Sequence, residues 1–573
     1  MARRADERRR IRIREWLGTA VLGLTLAAGL GGVAIAADTA KAPLGPPTPE
    51  VIDAAITAKL AELKVQARPE SPDGEFLRRV SLDLAGRTPR PEEIVAFLAD
   101  KDPAKRDKLV DRLLDSPEFV EHWTDFWMET LSRGMDPKSR RYMDELRGWV
   151  KRQVKLDTPY DTFVSRLVRA QGYVDRNGAV AFTLGYDRDP MALASATSRI
   201  FMGAQIECAQ CHDHPFADWK QEQFLKTAAW FSRIERRNKL KDPETIAREL
   251  AKLDGRRRKR YMENARRLAA REGIFEKRRG ELVVNERGEP LTRKNRAVSK
   301  VQKTIAPEFL LSIEAIKPSE NRRESFARFL TSPQNKDFAR VGVNRIWSRF
   351  FGRGLVNPID DMSDASVTTH PTLLDELAER FVASKYSQRT LIRAIVCSDA
   401  YRRSSQPATD DSMARREPGQ PDLVMTFYGR MPVRPLGAEQ LSRALARSVI
   451  PGRSRRAGQL AGRLQRTLNG LLGKRTRDLD RYEETLQEAL FMQNSPMLHG
   501  ALGGESLVQK VLRSQPNARE RLTRLFLNIL TRPPSPSELK RYESYVSAQK
   551  ESLEAYQDVA WTLLNTSEFR YNH

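Results

Sequence analysis

From residue 49 onward the apolar residues recur mostly at helical spacing, and short polar breaks containing proline separate the segments. The stretch TPRPEEIVAFLA, residues 88–99, places prolines first, acidic residues next and apolar residues after them. Proline and acidic residues are favoured in the first turn of a helix, so this stretch predicts a helix start. The segment 103–132 continues the helical spacing with large apolar residues: Leu109, Leu113, Leu114, Phe119, Trp123 and Trp127. The pattern predicts a mainly α, multi-helix fold.

One stretch departs from the helical period. In GELVVNERGEPL, residues 280–291, apolar and polar residues alternate briefly around Arg287 and Gly288. Alternation on both sides of a glycine-containing turn favours two short antiparallel strands. We therefore expect a small β-hairpin insertion near residues 280–291.

Two stretches near opposite ends of the chain align without gaps. LRRVSLDLAGRTPRPEEI (77–94) aligns with LTRLFLNILTRPPSPSEL (522–539), and identical residues include Arg79, Arg87, Pro89, Pro91 and Glu93 against Arg524, Arg532, Pro534, Pro536 and Glu538. LLDSPEF (113–119) likewise echoes LLNTSEF (563–569). The alignment predicts a repeated unit of helix, proline-rich turn and helix. The alternative is a chance likeness, because proline and glutamate recur at helix starts for local reasons. Two copies are too few for a solenoid.

The N-terminus indicates the compartment. Residues 1–15 hold seven arginines against Asp6, Glu7 and Glu15, and residues 16–37 carry no charge. A basic stretch followed by an apolar one predicts a signal peptide or N-terminal anchor over residues 1–37. Either form leaves the arginines in the cytoplasm and exports the rest. We expect an extracytoplasmic protein, periplasmic or secreted, with a Pro/Ala linker at 38–48.

The chain is strongly basic, with a formal net charge of +24 over 573 residues. Such a charge favours association with polyanions, so an anionic polymer or a membrane surface is a candidate partner. A solvated basic surface is the alternative. Nucleic acid is an unlikely partner for an exported chain. The basic residues are dense over 235–300 and include the run 256–260.

The densest chemistry lies in ECAQCHDHPF, residues 207–216, which holds two of the three cysteines and two of the six histidines. Cys208, Cys211 and His212 form C-x-x-C-H, the attachment pattern of c-type haem. The two thiols would bond the haem vinyl groups, and His212 would be an axial iron ligand. This spacing predicts a haem c site, with a redox partner protein implied.

Three alternatives to haem remain for the CAQCH stretch. Cys208 and Cys211 could form a disulfide in an oxidising compartment. Zinc could bind both thiolates with His212 or His214, although four ligands within seven residues are crowded. The stretch could also be a structural remnant without haem. If haem binds, His214 is too close to His212 to be the second axial ligand, and the candidates are Met202, His370 and His499.

A second group of polar residues occurs in GRGLVNPIDDMSDASVTTHPTLLDELA, residues 352–378. Asp360, Asp361, Asp364 and His370 could bind a hard cation or serve in acid–base chemistry, which would make the protein a metal-dependent hydrolase. The alternative is structural, with the aspartates in a loop and His370 capping a helix that starts at Pro371. The spacing matches no defined metal-binding loop. The third cysteine, Cys397, lies on an apolar helix face and is expected to be a buried, inert thiol.

Longer stretches carry a family resemblance. CAQCHDHPFADW, LRRVSLDLAGRTPRPEE, VDRLLDSPEF and TPYDTFVSRLV resemble the planctomycete cytochrome-c-like domain of unknown function. NRIWSRFFGRGLVNPIDDM, THPTLLDELAERFV, LIRAIVCSDAYRRSS, RPLGAEQLSRAL, LFMQNSP and LLNTSEF resemble its usual partner domain, also of unknown function. The resemblance implies an exported, largely helical protein with its C-x-x-C-H pattern on Cys208, Cys211 and His212. It supplies no reaction, and the basic stretch 235–300 departs from the family pattern.

These observations predict a helical cytochrome-c-like domain at 49–234, a basic insertion or connector at 235–305 and a helical partner domain at 306–573. The expected function is electron transfer or oxidoreductase chemistry by an exported haem c protein. The first alternative is a non-haem cell-surface protein that binds polysaccharide and carries a Cys208–Cys211 disulfide. The second is the hydrolase with Asp360, Asp361 and His370. Whether the protein is an enzyme stays open.

Overall fold

The computed structural model describes residues 44–215, 217–237, 254–256, 281–284, 291–294, 301–310, 321–363, 366–407, 422–450, 455–472, 486–503 and 506–573. The expected N-terminal segment 1–37, most of the basic run 256–260 and Asp364 lie outside these residues. Among the described helices, none combines the length and the apolar composition that a bilayer crossing requires.

The first half of the chain is built from short helices. They are α1 Pro49–Glu62, α2 Asp73–Ala85, α3 Pro91–Ala99, α4 Lys105–Leu114, α5 Pro117–Ser132, α6 Met143–Lys155, α7 Tyr160–Val168, α8 Val180–Gly185, α9 Pro190–Thr197 and α10 Gln221–Ala229. Two 3₁₀ turns, Pro137–Tyr142 and Glu207–Gln210, and one π turn, Ser198–Met202, lie between them.

The second half continues in the same manner. Its helices are α11 Arg322–Leu330, α12 Lys336–Phe351, α13 Pro371–Ala383, α14 Gln388–Cys397, α15 Asp399–Arg402, α16 Leu423–Thr426, α17 Ala438–Val449, α18 Arg455–Leu472, α19 Leu486–Asn494, α20 Pro496–Gly503, α21 Leu507–Ser514, α22 Ala518–Leu530, α23 Pro536–Ala548, α24 Leu553–Leu564 and α25 Ser567–Arg570. The mainly α fold is confirmed.

The strands are short and peripheral: β1 Gly172–Tyr173, β2 Ile234–Arg237, β3 Glu281–Val284, β4 Thr292–Lys294, β5 Val301–Thr304, β6 Val356–Asn357, β7 Val367–Thr368, β8 Arg434–Pro435 and β9 Tyr571–Asn572. A strand does form within 280–291, where it was expected. This strand, β3, is the centre of a three-stranded antiparallel sheet between β1 and β2. The neighbouring hairpin is β4–β5.

The buried apolar side chains form two clusters. The first runs from Ile52 to Met431 and mixes aromatic rings from both halves of the chain. Tyr160 of α7 stacks on Phe338 of α12 with ring centroids 4.9 Å apart, and Trp230 lies 5.6 Å from Phe326. Each fully buried large side chain contributes roughly 1.5–3 kcal/mol. The second cluster comprises residues of 436–569 together with Leu82. The three-part domain division expected from the sequence stays a prediction.

The two ends of the chain share one local architecture. Helix α2 ends at Gly86 and helix α22 ends at Thr531, both in the left-handed conformation with φ of 63° and 67°. Arg87 then donates two hydrogen bonds to Glu93 at 2.7 and 2.8 Å, and Arg532 donates two to Glu538 at 2.8 Å. These matching bidentate pairs lie at the positions that the sequence alignment predicts to correspond.

The downstream parts of the two copies correspond as well. The Ser116 hydroxyl accepts from the backbone N–H of Phe119, and the Thr566 hydroxyl accepts from that of Phe569. The copies also contact each other, because the buried Arg78 of α2 donates to the backbone oxygens of Ile529, Glu568 and Phe569. The structure therefore supports a repeated unit whose two copies pack together.

Candidate functional site

The CAQCH stretch forms an exposed loop between the π turn Ser198–Met202 and helix α10. It begins with the 3₁₀ turn Glu207–Gln210, in which residues three apart lie on the same side. Ile206 and Ala209 are three apart and buried, with 1% and 0% of their surface exposed. Cys208 and Cys211 are also three apart, and both are exposed free thiols. The 3₁₀ period thus turns the two sulfur atoms to the solvent side together.

The His212 side chain is exposed on the same loop. Its Nδ1 lies 2.7 Å from the backbone oxygen of Asp213. An oxygen can only accept, so Nδ1 carries the hydrogen and donates, and Nε2 keeps its lone pair. Histidines that bind metals through one ring nitrogen typically donate the other N–H to an oxygen in this way. The loop therefore holds His212 in the tautomer that can bind a metal through Nε2.

Helix α10 anchors the loop through its first residue, Gln221. The Gln221 side-chain amide donates to the backbone oxygens of Gln210 and Cys211 at 3.2 and 2.8 Å. Its backbone N–H donates to the carboxylate of Asp213 at 2.9 Å, and this hydrogen bond lowers the pKa of Asp213. The backbone of His214 adds a bond to the Trp219 oxygen. Four hydrogen bonds thus hold the loop closed while its thiols stay exposed.

The turn before the loop is fixed by the second half of the chain. Gly203 ends the π turn with a φ of 60°, and its backbone oxygen accepts from the N–H of Met362 at 2.7 Å. A Cβ at Gly203 would lie 2.5 Å from Cγ of Met362, so a larger residue does not fit. The loop 358–363 therefore holds in place the backbone that leads into the cysteine-containing loop. Sequence reasoning missed both Gly203 and Gln221, because their contacts depend on the tertiary fold.

The exposed side chains of this loop fit haem attachment. Cys208 and Cys211 offer two thiols, and His212 offers an imidazole whose Nε2 can bind iron. The candidates for the second axial ligand do not lie at this surface. Met202 is 2% exposed within the main core, and His370 is 5% exposed beside Phe427 and Tyr428. His499 belongs to α20, where its ring stacks on Trp561. None of these three side chains is therefore placed with Cys208, Cys211 and His212 in the described structure.

Asp360 lies at a meeting point of the two halves of the chain. Its carboxylate accepts from Arg345 at 2.6 Å and lies 3.4 Å from both Arg133 and Arg199. Burial raises the pKa of Asp360, but the three guanidinium groups outweigh it and hold the pKa below its ordinary value. The Asp360 carboxylate is thus surrounded by the guanidinium groups of three arginines. Asp361 instead accepts from the backbone N–H of Ser363.

His370 begins helix α13, as expected for a helix start at Pro371, but its side chain makes no capping hydrogen bond. Burial and the nearby Lys59 lower its pKa to about 4. Among the described residues, no three His, Cys, Asp or Glu side chains are grouped to hold a metal ion. The structure therefore does not gather Asp360, Asp361 and His370 into the metal site that was considered from their spacing.

The third cysteine is confirmed as a buried thiol, with 6% of Cys397 exposed at the end of α14. Burial, with a contribution from Asp107, raises the pKa of this thiol to about 12. A thiol is nucleophilic only when deprotonated, so Cys397 is inert at neutral pH.

The fold and the loop define a mainly helical protein with an exposed C-x-x-C-H loop braced by its second half. Residues 51–236 match the family PSCyt2, described as a protein of unknown function (DUF1549). Residues 322–456 match the family PSD1, also described as a protein of unknown function (DUF1553). The chain thus carries both family segments in N-to-C order, and the pairing expected from the resemblance is confirmed. No curated protein and no solved structure matches the chain.

Proposed function

We propose that this protein binds haem c covalently through Cys208 and Cys211, with His212 as an axial iron ligand, and that it transfers electrons outside the cytoplasm. The observation that carries the proposal is the shared exposure of the two thiols beside a histidine whose Nε2 is free. The name of the first family hints at a cytochrome-like domain and agrees with it. When bound, the haem would supply a reversible one-electron couple at its iron.

The residues around the loop have separate roles in this proposal. The buried Ala209 orients Cys208 and Cys211 outward, so both sulfur atoms are accessible for thioether formation. The Asp213 backbone oxygen holds the His212 ring through Nδ1. The Gln221 amide keeps the backbone of the attachment turn in place. Because Cys208, Cys211 and His212 are exposed, they would hold the haem where a redox partner protein can reach it.

We expect full-length protein, exported from a host with cytochrome c maturation, to carry about one covalent haem per chain. The pyridine haemochrome spectrum of denatured protein and the intact mass measure it. Cys208→Ala and Cys211→Ala should each lose one thioether, and the double variant should retain less than about a tenth of the haem. His212→Ala should change the axial-ligand spectrum of the native protein.

Matched controls are present in the chain. Cys397→Ala removes the buried thiol and His499→Ala removes an exposed imidazole of α20, and neither should change haem content. A wild-type mass that is two hydrogens light, without haem, would identify a Cys208–Cys211 disulfide and overturn the proposal in favour of a non-haem interaction protein. An unmodified mass with two free thiols would overturn it as well.

A further inference from the structure

Helix α18, Arg455–Leu472, has an unusual distribution of charge. Its sequence RRAGQLAGRLQRTLNGLL contains four arginines and no acidic residue. Arg455, Arg456, Arg463 and Arg466 are all exposed. At 3.6 residues per turn they fall within about 100° of the helix circumference and extend over about 16 Å. We call these four residues the arginine face.

The opposite side of α18 is occupied by the protein itself. Leu464 and Leu468 are fully buried in the second hydrophobic cluster, where the helix packs on α17. The helix is therefore held in place by its apolar side. The arginine face points away from that contact and presents its guanidinium groups on a rigid element.

Within the described residues, the four side chains of the arginine face have no acidic partner. By contrast, the half-buried Arg393 and Arg389 of α14 pair with Asp111 at 2.7 Å and with Asp115 at 3.1 Å. For the four side chains of the arginine face, no ion pair or hydrogen bond occurs within the part of the chain that the structure describes. Four neighbouring like charges repel one another, and a bound polyanion would relieve this repulsion.

We propose that the arginine face of α18 binds an acidic polysaccharide chain, a function separate from haem binding. A linear polyanion can contact four guanidinium groups along 16 Å in series, and arginine binds sulfate and carboxylate groups through paired N–H donors. The basic stretch 235–300, from which the sequence suggested such a partner, lies largely outside the described residues. Among the described residues, we therefore assign polyanion binding to α18.

The composition of the arginine face favours a polysaccharide over the other two anionic partners. A helix that lies on a membrane inserts apolar residues beside its basic ones. The exposed residues within the arc of the arginine face are Gln459 and Gly470. Leu464 and Leu468 are buried on the opposite side, and the partly buried Leu460 packs against the second cluster. Single-stranded nucleic acids are typically bound by aromatic side chains that stack on the bases, and α18 contains none.

The test uses the full-length protein and heparin, a linear sulfated polysaccharide, with affinity measured across a salt series. The variant R455Q/R456Q/R463Q/R466Q should bind at least about tenfold more weakly, and its log–log salt slope should be lower by about 3–4. The variant R455K/R456K/R463K/R466K keeps the four charges but loses the paired N–H donors, so it should bind more weakly than wild type and more tightly than the glutamine variant. Unfolding midpoints verify that each variant is folded.

A matched control separates a site from the net charge of the chain. Arg112, Arg152, Arg169 and Arg513 are also exposed, but they lie on four different parts of the fold. The variant R112Q/R152Q/R169Q/R513Q loses the same four charges and should keep most of the heparin affinity. Equal weakening by both glutamine variants would overturn the proposal, since binding would then follow net charge alone.

Two competing probes complete the test. Duplex DNA and vesicles with about one-third anionic lipid should bind more weakly than heparin at matched salt. Their binding should also be weakened less than heparin binding by R455Q/R456Q/R463Q/R466Q. Tighter binding of DNA that is lost in R455Q/R456Q/R463Q/R466Q would assign the surface to nucleic acid instead. Vesicle binding that exceeds heparin binding and depends on the same residues would assign it to a membrane. Either result would overturn the polysaccharide proposal.

Discussion

Replacing Arg79 by alanine is expected to lower the free energy of unfolding by about 3–5 kcal/mol. Arg79 is 1% exposed, and its guanidinium donates to the backbone oxygens of Tyr401, Arg403 and His573 at 2.7, 3.0 and 3.1 Å. It also pairs with the buried carboxylate of Glu75. The substitution leaves three backbone oxygens without this donor and leaves the buried Glu75 carboxylate without its arginine, and both effects disfavour the folded state.

Chemical denaturation of the purified chain measures this loss. Arg112→Ala removes an exposed arginine of α4 and should change the unfolding free energy by less than about 0.5 kcal/mol. In an Arg79→Met background, Glu75→Gln removes the stranded charge and should recover part of the stability. An Arg79→Ala loss no greater than the Arg112→Ala loss would contradict the role assigned to this network.

The second large effect is a pH dependence that originates at His370. Neither ring nitrogen has a hydrogen-bond partner in the described structure, and the ring contacts those of Phe427 and Tyr428. Burial, together with Lys59, lowers the pKa of His370 to about 4 from an ordinary value of 6.5, while Glu62 opposes the shift weakly. The unfolded chain therefore takes up the proton first as the pH falls. This histidine should cost about 3 kcal/mol of stability between pH 6.5 and pH 4.

The variant His370→Phe should lack this pH-dependent loss of stability, and it loses no side-chain hydrogen bond of the described structure. Its advantage over wild type in unfolding free energy should grow by about 3 kcal/mol as the pH is lowered from 6.5 to 4. Parallel curves for wild type and His370→Phe would show that His370 takes up its proton in the folded state as readily as in the unfolded one.

The helical fold was predictable because its determinants are local. Proline at helix starts, capping serines such as Ser116 and apolar residues at helical spacing operate within a few residues of one another. The repeat was predictable for the same reason, since Arg87 and Glu93 are only six residues apart. The exposed thiols of the candidate site also follow from local spacing.

What the sequence could not predict depends on residues far apart along the chain. Asp360 appeared to be a candidate metal ligand, because nothing in its neighbourhood indicates that Arg133 and Arg199 approach it from the first half. Arg79 lies in an arginine pair typical of a helix surface, yet the backbone oxygens of Tyr401 and Arg403 that it contacts are more than 300 residues away. The strand β3 was expected to pair with its neighbour, but its partners are β1 and β2.

The hydrophobic core that both family segments share has a consequence for their inheritance. The ring stacks between Tyr160 and Phe338, and between Trp230 and Phe326, each join a residue of 51–236 to one of 322–456. A gene that lost one segment would encode a shortened protein whose aromatic side chains, now buried between the segments, are exposed to water. Such a protein would tend to aggregate and to be degraded. Selection against the shortened protein would keep the two family segments in one reading frame, whatever reaction the protein performs.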